Sequence, residues 1–212
     1  MKLYTYFRSS SSFRVRIALN LKEIEYDPFF IQLLEGKQSS VEYLNKNPQG
    51  LIPALEDGSE IFTQSGAIIE YLEEVKPEPA LLPKDPAGRA HVRAMVNTIM
   101  CEIQPLNNLG TLKYLKNNFG HNDEDIGLWI KDFTARGFSS FEEFIKKYGA
   151  VEGYCYGKDV TMADIFLIPQ IWNARRFDCD LTPYENILRI EEKLYKLDAF
   201  DKARPENQPD AP

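Results

Sequence analysis

Three short stretches hold residues whose chemistry suits a small anionic ligand. The first is Ser9-Ser10-Ser11-Ser12. It follows the strand-like Leu3–Phe7 and precedes Val15, Ala18 and Leu19, which recur at helical spacing. Hydroxyls at such a junction sit beside unpaired N–H groups and the positive end of the helix dipole, and can donate to an anion. The same serines also suit a plain cap and loop, and on their own they do not decide between the two. The second stretch is Ile52-Pro53, after the turn Pro48-Gln49-Gly50. A cis bond there would turn the Ile52 backbone toward a peptide-like ligand, but ordinary frequencies favour trans. The third is Gln64-Ser65 at a helix start, where the Ser65 N–H and hydroxyl either hold a carboxylate or simply cap the helix.

These stretches must be positioned by the elements around them. Leu3–Phe7 reads as a strand, Ser12–Lys22 as a helix, and Tyr26–Ile31 as a second strand, with Pro28 marking a sheet edge. A short helical stretch over Ser39–Asn45 follows. Ala54–Glu56 and Glu60–Thr63 flank Asp57-Gly58 as a hairpin, and Ser65–Val75 carries Ala67, Ile68, Tyr71 and Leu72 on one helical face. The order β-α-β-α-β-β-α is the thioredoxin-like arrangement. The proline-rich Lys76–Pro83 then stops the helix and stiffens an extended connection.

Everything beyond reads as helix. Asp85-Pro86 opens one helix, with Val92, Met95, Val96, Ile99 and Ile103 as its stripe and Pro105 interrupting it. Trp129, Phe133, Phe141, Phe144, Ile145 and Tyr148 mark a second apolar stripe. Thr161-Met162-Ala163-Asp164 is a capping box opening a third helix, so Thr161 and Asp164 read as structural. Ile187, Ile190, Leu194 and Leu197 mark a fourth. The expected organisation is α/β plus all-α: a thioredoxin-like domain over 1–78, a linker over 79–86 and a helical-bundle domain over 87–212.

Composition removes several function classes. The 212 residues carry a net charge of −7 and show no basic face of the kind a nucleic-acid binder needs. No apolar run reaches a membrane span, and the N-terminus is too short and polar for a signal peptide. Cys101, Cys155 and Cys179 are far apart, which disfavours a disulfide framework and points to a reduced, cytoplasmic setting. Cys101 reads as a packed apolar residue. His91 and His121 are not at ligand spacing, so no metal site is expected.

Tyr6-Phe7-Arg8-Ser9-Ser10-Ser11-Ser12-Phe13-Arg14-Val15-Arg16-Ile17-Ala18-Leu19 resembles the signature of the zeta-class glutathione transferases. So do Asn47–Pro53, Gln64-Ser65 with Ala67–Glu74, Ile103-Gln104-Pro105-Leu106, Thr161–Asp164, Asn173–Phe177 and Leu181–Tyr184. The likeness runs from residue 3 to the tail. It implies a homodimeric, glutathione-dependent enzyme that isomerises maleylacetoacetate to fumarylacetoacetate in tyrosine and phenylalanine breakdown, by thiolate addition, bond rotation and elimination. Alternatives within the class are maleylpyruvate isomerisation, α-halo acid dehalogenation and glutathione conjugation. A non-catalytic binding protein of the same fold is the alternative from another class.

By the same resemblance Ser9 is the catalytic serine, with Ser10 beside it. Arg176, helped by Arg14, would hold a dianionic substrate. Glutathione would touch Ser9, Ser10, Ser11, Ser12, Phe13 and Arg14, then Gln38, Ile52, Gln64 and Ser65. It would also touch Gln104, Asn108, Leu109 and Gly110. Many members carry Cys where this chain has Ser11, which puts thiol exchange at that position in doubt. Arg16 and Arg175 read as solvated surface charges.

Overall fold

A computed structural model of the chain describes residues 1–150 and 152–212, and it divides into two compact units. The first comprises Met1–Leu81 together with Tyr195–Pro212, and the second Leu82–Leu194.

The first unit runs β1 (Lys2–Thr5), α1 (Ser10–Leu21), β2 (Asp27–Phe30), α2 (Val41–Leu44), β3 (Ala54–Asp57), β4 (Glu60–Thr63) and α3 (Ser65–Val75). The sheet order is β2-β1-β3-β4. β1 pairs parallel with β2, Leu3 opposite Pro28, and antiparallel with β3, Leu3 opposite Leu55. Pro28 thus occupies the edge strand, where a missing N–H costs no ladder bond. Gly58 takes a φ of 61° in the β3–β4 turn, a conformation that glycine adopts without penalty.

Successive side chains of a strand face opposite ways, so β1 feeds two cores. Tyr4 joins Ile31, Tyr43 and Ala54 on one face. The pleat sends the fully buried Leu3 to the other, where α1 and α3 contribute Phe13, Ile17, Ile68 and Leu72. Lys22, at the end of α1, is also buried. Its Nζ meets Glu73 Oε2 at 2.8 Å and donates to Lys76 O and Pro79 O, while Glu73 accepts from Leu81 N. An ion pair whose two members make further hydrogen bonds is the tolerable form of buried charge. It fixes the proline-rich segment to the two helices.

The last eighteen residues depart from the expected organisation. Expected in the helical domain, they complete the first unit through α9 (Asp198–Asp201) and a 3₁₀ turn at Pro205–Asn207. Leu197 accordingly lies outside the fourth helical stripe and caps α9.

The second unit is helical: α4 (Pro86–Asn97), α5 (Leu109–Phe119), α6 (Asp123–Tyr148), α7 (Met162–Arg176) and α8 (Glu185–Leu194). Asp85 caps α4 by accepting from Gly88 N, with Pro86 at the first helical position. The stripe Val92, Met95, Val96, Ile99 and Ile103 is buried, but the six residues Thr98–Ile103 form a π-helical segment before Pro105. Apolar residues four apart suit either winding, so spacing does not separate the two. Cys101 in this segment is exposed, not packed. On α6 the buried stripe is Ile126, Ile130, Thr134, Phe138, Phe141 and Ile145; Trp129, Phe133, Phe144 and Tyr148 are only half-buried. An added Cβ at Gly137 would stand 2.3 Å from the Ile103 side chain, so the glycine gives that side chain its seat against α6.

Thr161 and Asp164 form the expected capping box. Asp164 accepts from Thr161 N, Thr161 Oγ1 and Cys155 N, which explains both residues structurally. No helix among the described residues is long and apolar enough to cross a membrane.

Candidate active site

In the first unit the serine run falls at the N-terminus of α1. Ser9 is the cap, with φ −74° and ψ 116°, and its Oγ accepts from Ser12 N at 3.2 Å. Its backbone is fixed on both sides: Ser9 N donates to Tyr6 O at 3.1 Å, and Ser9 O accepts from Phe13 N at 2.9 Å. A hydroxyl that accepts the capping bond still carries its own proton, and that O–H can donate. Ser9 and Ser10 are half-buried, within reach of a ligand. The first-turn N–H group of Ser10 has no acceptor within the helix.

Ser12 and Phe13 depart from the expected set. Both side chains are fully buried, and both N–H groups are spent on Ser9. They shape the turn from beneath, and Ser12 Oγ is buried with no hydrogen-bond partner among the described residues. Arg14 also departs. It is fully buried, and Nη1 donates to Ser65 Oγ at 3.4 Å. Burial pulls its guanidinium down to about 9. A side chain without exposed surface cannot meet a soluble dianion directly. Arg14 instead backs the hydroxyl at the start of α3. Arg8 is the half-exposed cation next to Ser9, and only its adjacency to the serine run marks it in sequence.

The start of α3 is unusual. Its cap is Gln64, not Ser65, and Gln64 takes φ 67° and ψ 118°. A non-glycine residue held at positive φ costs on the order of 1–3 kcal/mol and concentrates at ligand sites. Ser65, 5% exposed, is the first helical residue. Gln64 Nε2 donates to Gln49 Oε1 at 2.8 Å, which ties this start to the Pro48-Gln49-Gly50 turn. In sequence Gln49 reads only as part of a turn, and its tie to Gln64 is a tertiary feature.

That turn is itself pinned. Leu51 O accepts from Tyr43 Oη at 2.7 Å and Asn47 Nδ2 at 2.6 Å, and Asn47 Oδ1 accepts from Gln49 N. The Ile52-Pro53 bond that follows is cis, against the expectation of trans. Gln38 is half-buried, and its Oε1 is a buried acceptor with no hydrogen-bond partner among the described residues. An ideal Cβ on Gly50, at φ 62°, would lie 3.2 Å from Gln38 O, so these two backbones lie side by side. The chain therefore brings Gln38, Gln49, Ile52, Gln64 and Ser65 to one end of this unit.

The remaining candidates lie in the helical unit. Gln104 is half-buried just after the π segment, its N–H donating to Ile99 O. Asn108 caps α5 and spends Oδ1 on Leu109 N at 2.8 Å, so the exposed Gly110 offers the next first-turn N–H. The adjacent arginines of α7 have different environments. Arg175 makes a two-pronged contact with Glu191, while Arg176 is exposed, lies over the Trp172 and Phe177 rings at 5.1 Å and donates to Asn173 Oδ1. Arg175 is thus a structural ion pair.

Residues 1–74 match the glutathione S-transferase N-terminal domain. A maleylacetoacetate isomerase of Pseudomonas aeruginosa is 42% identical over 100% of this chain and 99% of its own. A maleylpyruvate isomerase structure, a bacterial glutathione S-transferase of the zeta class, superposes with a TM-score of 0.96 at 41% identity, covering both chains fully. A maleylacetoacetate isomerase of Methylobacterium extorquens, solved with malonate and glutathione bound, also reaches 0.96 at 36% identity with full coverage of both chains. Likeness of this extent over the whole length establishes that the chain belongs to the zeta-class glutathione transferases, the family of the maleylacetoacetate and maleylpyruvate isomerases.

Proposed function

We propose that the protein is a glutathione-dependent cis-trans isomerase of maleylacetoacetate. The observation that carries this reading is the Ser9 cap. Its oxygen is fixed by Ser12 N, leaving an O–H on a half-buried residue at the positive end of α1.

The donor set fits an acidic tripeptide. The Ser65 hydroxyl is backed by Arg14, Gln64 is held at positive φ, and Gln38 Oε1 is a buried acceptor still to be satisfied. In this reading the Ser65 N–H and hydroxyl receive a carboxylate, Gln64 and Gln38 orient the peptide, and Ile52 pairs with its backbone. Bound glutathione supplies a nucleophilic thiol able to add reversibly to a polarised double bond.

The protein's task is to keep that thiol ionised. A free cysteine thiol titrates near ~8.5, and lowering it by two units takes about 2.7 kcal/mol. A helix N-terminus supplies roughly 0.3–1 kcal/mol. A hydrogen bond to a charged group supplies roughly 1.5–3 kcal/mol. The dipole alone falls short, and the Ser9 hydroxyl makes up the difference by donating to sulfur. Ser9 therefore acts as a donor and not as a nucleophile. Arg176, and Arg8 in place of the buried Arg14, supply cations for the substrate carboxylates and the negative charge that develops beside them.

The test is loss of maleylacetoacetate with and without glutathione, in the unmodified chain and in Ser9→Ala. Glutathione-dependent turnover that collapses in the variant supports the reading. The zeta-class maleylpyruvate isomerase among the relatives supports a second one, the same chemistry on maleylpyruvate. Glutathione binding without maleylacetoacetate turnover would favour it, and a homodimer in the cytoplasm remains the expected setting for either.

A further inference from the structure

We propose that the C-terminal segment Ala203–Asp210 is a positioning element for the serine turn: Asp210 and the buried Arg16 together hold the backbone of Tyr6–Ser9 and so aim the Ser9 hydroxyl. The proposal rests on the reading of Ser9 as the thiol's hydrogen-bond donor.

The turn between β1 and α1 has few backbone groups, and most are bound by two side chains. Phe7 N donates to Asp210 Oδ2 at 2.9 Å, a contact between residues 203 positions apart. Arg16 Nη2 donates to Phe7 O at 3.1 Å, and Nη1 donates to Tyr6 O at 3.4 Å and Thr5 Oγ1 at 3.3 Å. Tyr6 O is also the acceptor of Ser9 N. Arg16 and Ser9 therefore converge on one carbonyl. The third nitrogen of Arg16, Nε, donates to Ala203 O at 3.1 Å. One guanidinium thus bridges the tail and the turn. By type and position in the sequence alone it reads as a solvated charge.

Arg16 is 1% exposed, which makes its charge costly to hold. Burial pulls it down to about 10, and the groups opposing that fall are Tyr26, Asp210 and Glu206. Two of those three lie in the tail. The segment is anchored independently of the turn: Phe200, Ala203 and Pro205 are buried, and Asn20 Nδ2 donates to Ala199 O at 3.0 Å. A fixed tail that supplies an acceptor for Phe7 N–H, an acceptor for Arg16 and the anions facing it is a second-layer support for Ser9. Misplacing a catalytic donor by about 1 Å costs up to roughly a hundredfold in rate.

The experiment compares Asp210→Ala and Asp210→Asn with the unmodified chain, first checked for glutathione binding and turnover. Asp210→Asn keeps an acceptor for Phe7 N–H and loses only the charge facing Arg16, so it is expected to recover most of the rate lost in Asp210→Ala. Asp210→Ala is expected to lose roughly tenfold or more in kcat/KM, with the acid limb of its pH profile moved to higher pH because the thiol is held less well. A wild-type rate and profile in Asp210→Ala would overturn the proposal. If that variant does not fold, hydrogen exchange on the unmodified chain decides. Phe7 and Ser9 amides that open together with residues 203–210 support it, and amides that open independently overturn it. The exchange result stands even if the unmodified chain turns over no substrate, so failure of the isomerase reading and failure of the strap are separable.

Discussion

Arg14 Nη1 donates to Ser65 Oγ at 3.4 Å, so a cation buried in α1 supports the hydroxyl at the start of α3. The two helix starts of the first unit are thereby coupled through a residue that never meets solvent. Arg14→Met should weaken glutathione binding by roughly tenfold, the scale of one lost charge-assisted bond. KM for the diacid, measured at saturating glutathione, should stay unchanged. Calorimetry and steady-state kinetics check the two halves separately.

Ser9→Ala should have two distinguishable effects. Loss of the cap should cost about 1 kcal/mol in unfolding free energy. Loss of the donor should raise the pH at which bound glutathione ionises, read from thiolate absorbance. Ser9→Thr keeps a capping hydroxyl and should recover the stability.

Arg176→Ala should raise KM for the diacid roughly tenfold or more while leaving the unfolding midpoint unchanged, because the guanidinium is exposed. Arg175→Ala should do the reverse, since it breaks the Glu191 contact and no substrate role is assigned to it. Equal kinetic losses in both variants would remove the distinction drawn between these neighbours.

Asp164 gives the helical unit an inverted pH response. Burial raises its carboxyl above the ordinary 3.8 despite three hydrogen-bond donors. The native state then holds a proton that the unfolded chain has already released, so this residue's contribution to stability falls as pH rises through that window. Urea titrations from about pH 4 to 7 should show that slope in the unmodified chain. Asp164→Asn should be less stable overall and should lack it.

Lys22→Met should cost about 3–5 kcal/mol, the usual penalty for stranding one member of a buried pair. Glu73 would be left facing only Leu81 N, and Lys76 O and Pro79 O would lose their donor. Denaturant unfolding gives the number. Replacing both charges with apolar residues should recover part of it.

What the sequence disclosed was local. Pro28 at the edge strand, Asp57-Gly58 in the hairpin and the Thr161–Asp164 box each act within a few residues, and each stands where its chemistry puts it. What stayed hidden was tertiary. Arg14 and Arg16 look like surface cations by type, and only the packing of α1 buries them. Gln64 occupies a conformation that a reader would reserve for glycine. The tail lacks periodicity, so nothing near Asp210 announces that its acceptor role is at Phe7.

The division of the chain has a consequence for its biosynthesis. The first unit is interrupted: its opening eighty-one residues precede the helical unit, and its closing eighteen follow it. A ribosome delivers residues in order, and domains generally fold as they emerge. The nascent thioredoxin-like sheet must therefore wait, without its last segment, while all of Leu82–Leu194 is made. During that interval Phe7 N–H lacks its acceptor and Arg16 its tail carbonyl. The helical unit, whose residues are contiguous, can finish first. In order of completion, the N-terminal half of this protein is the last to be done.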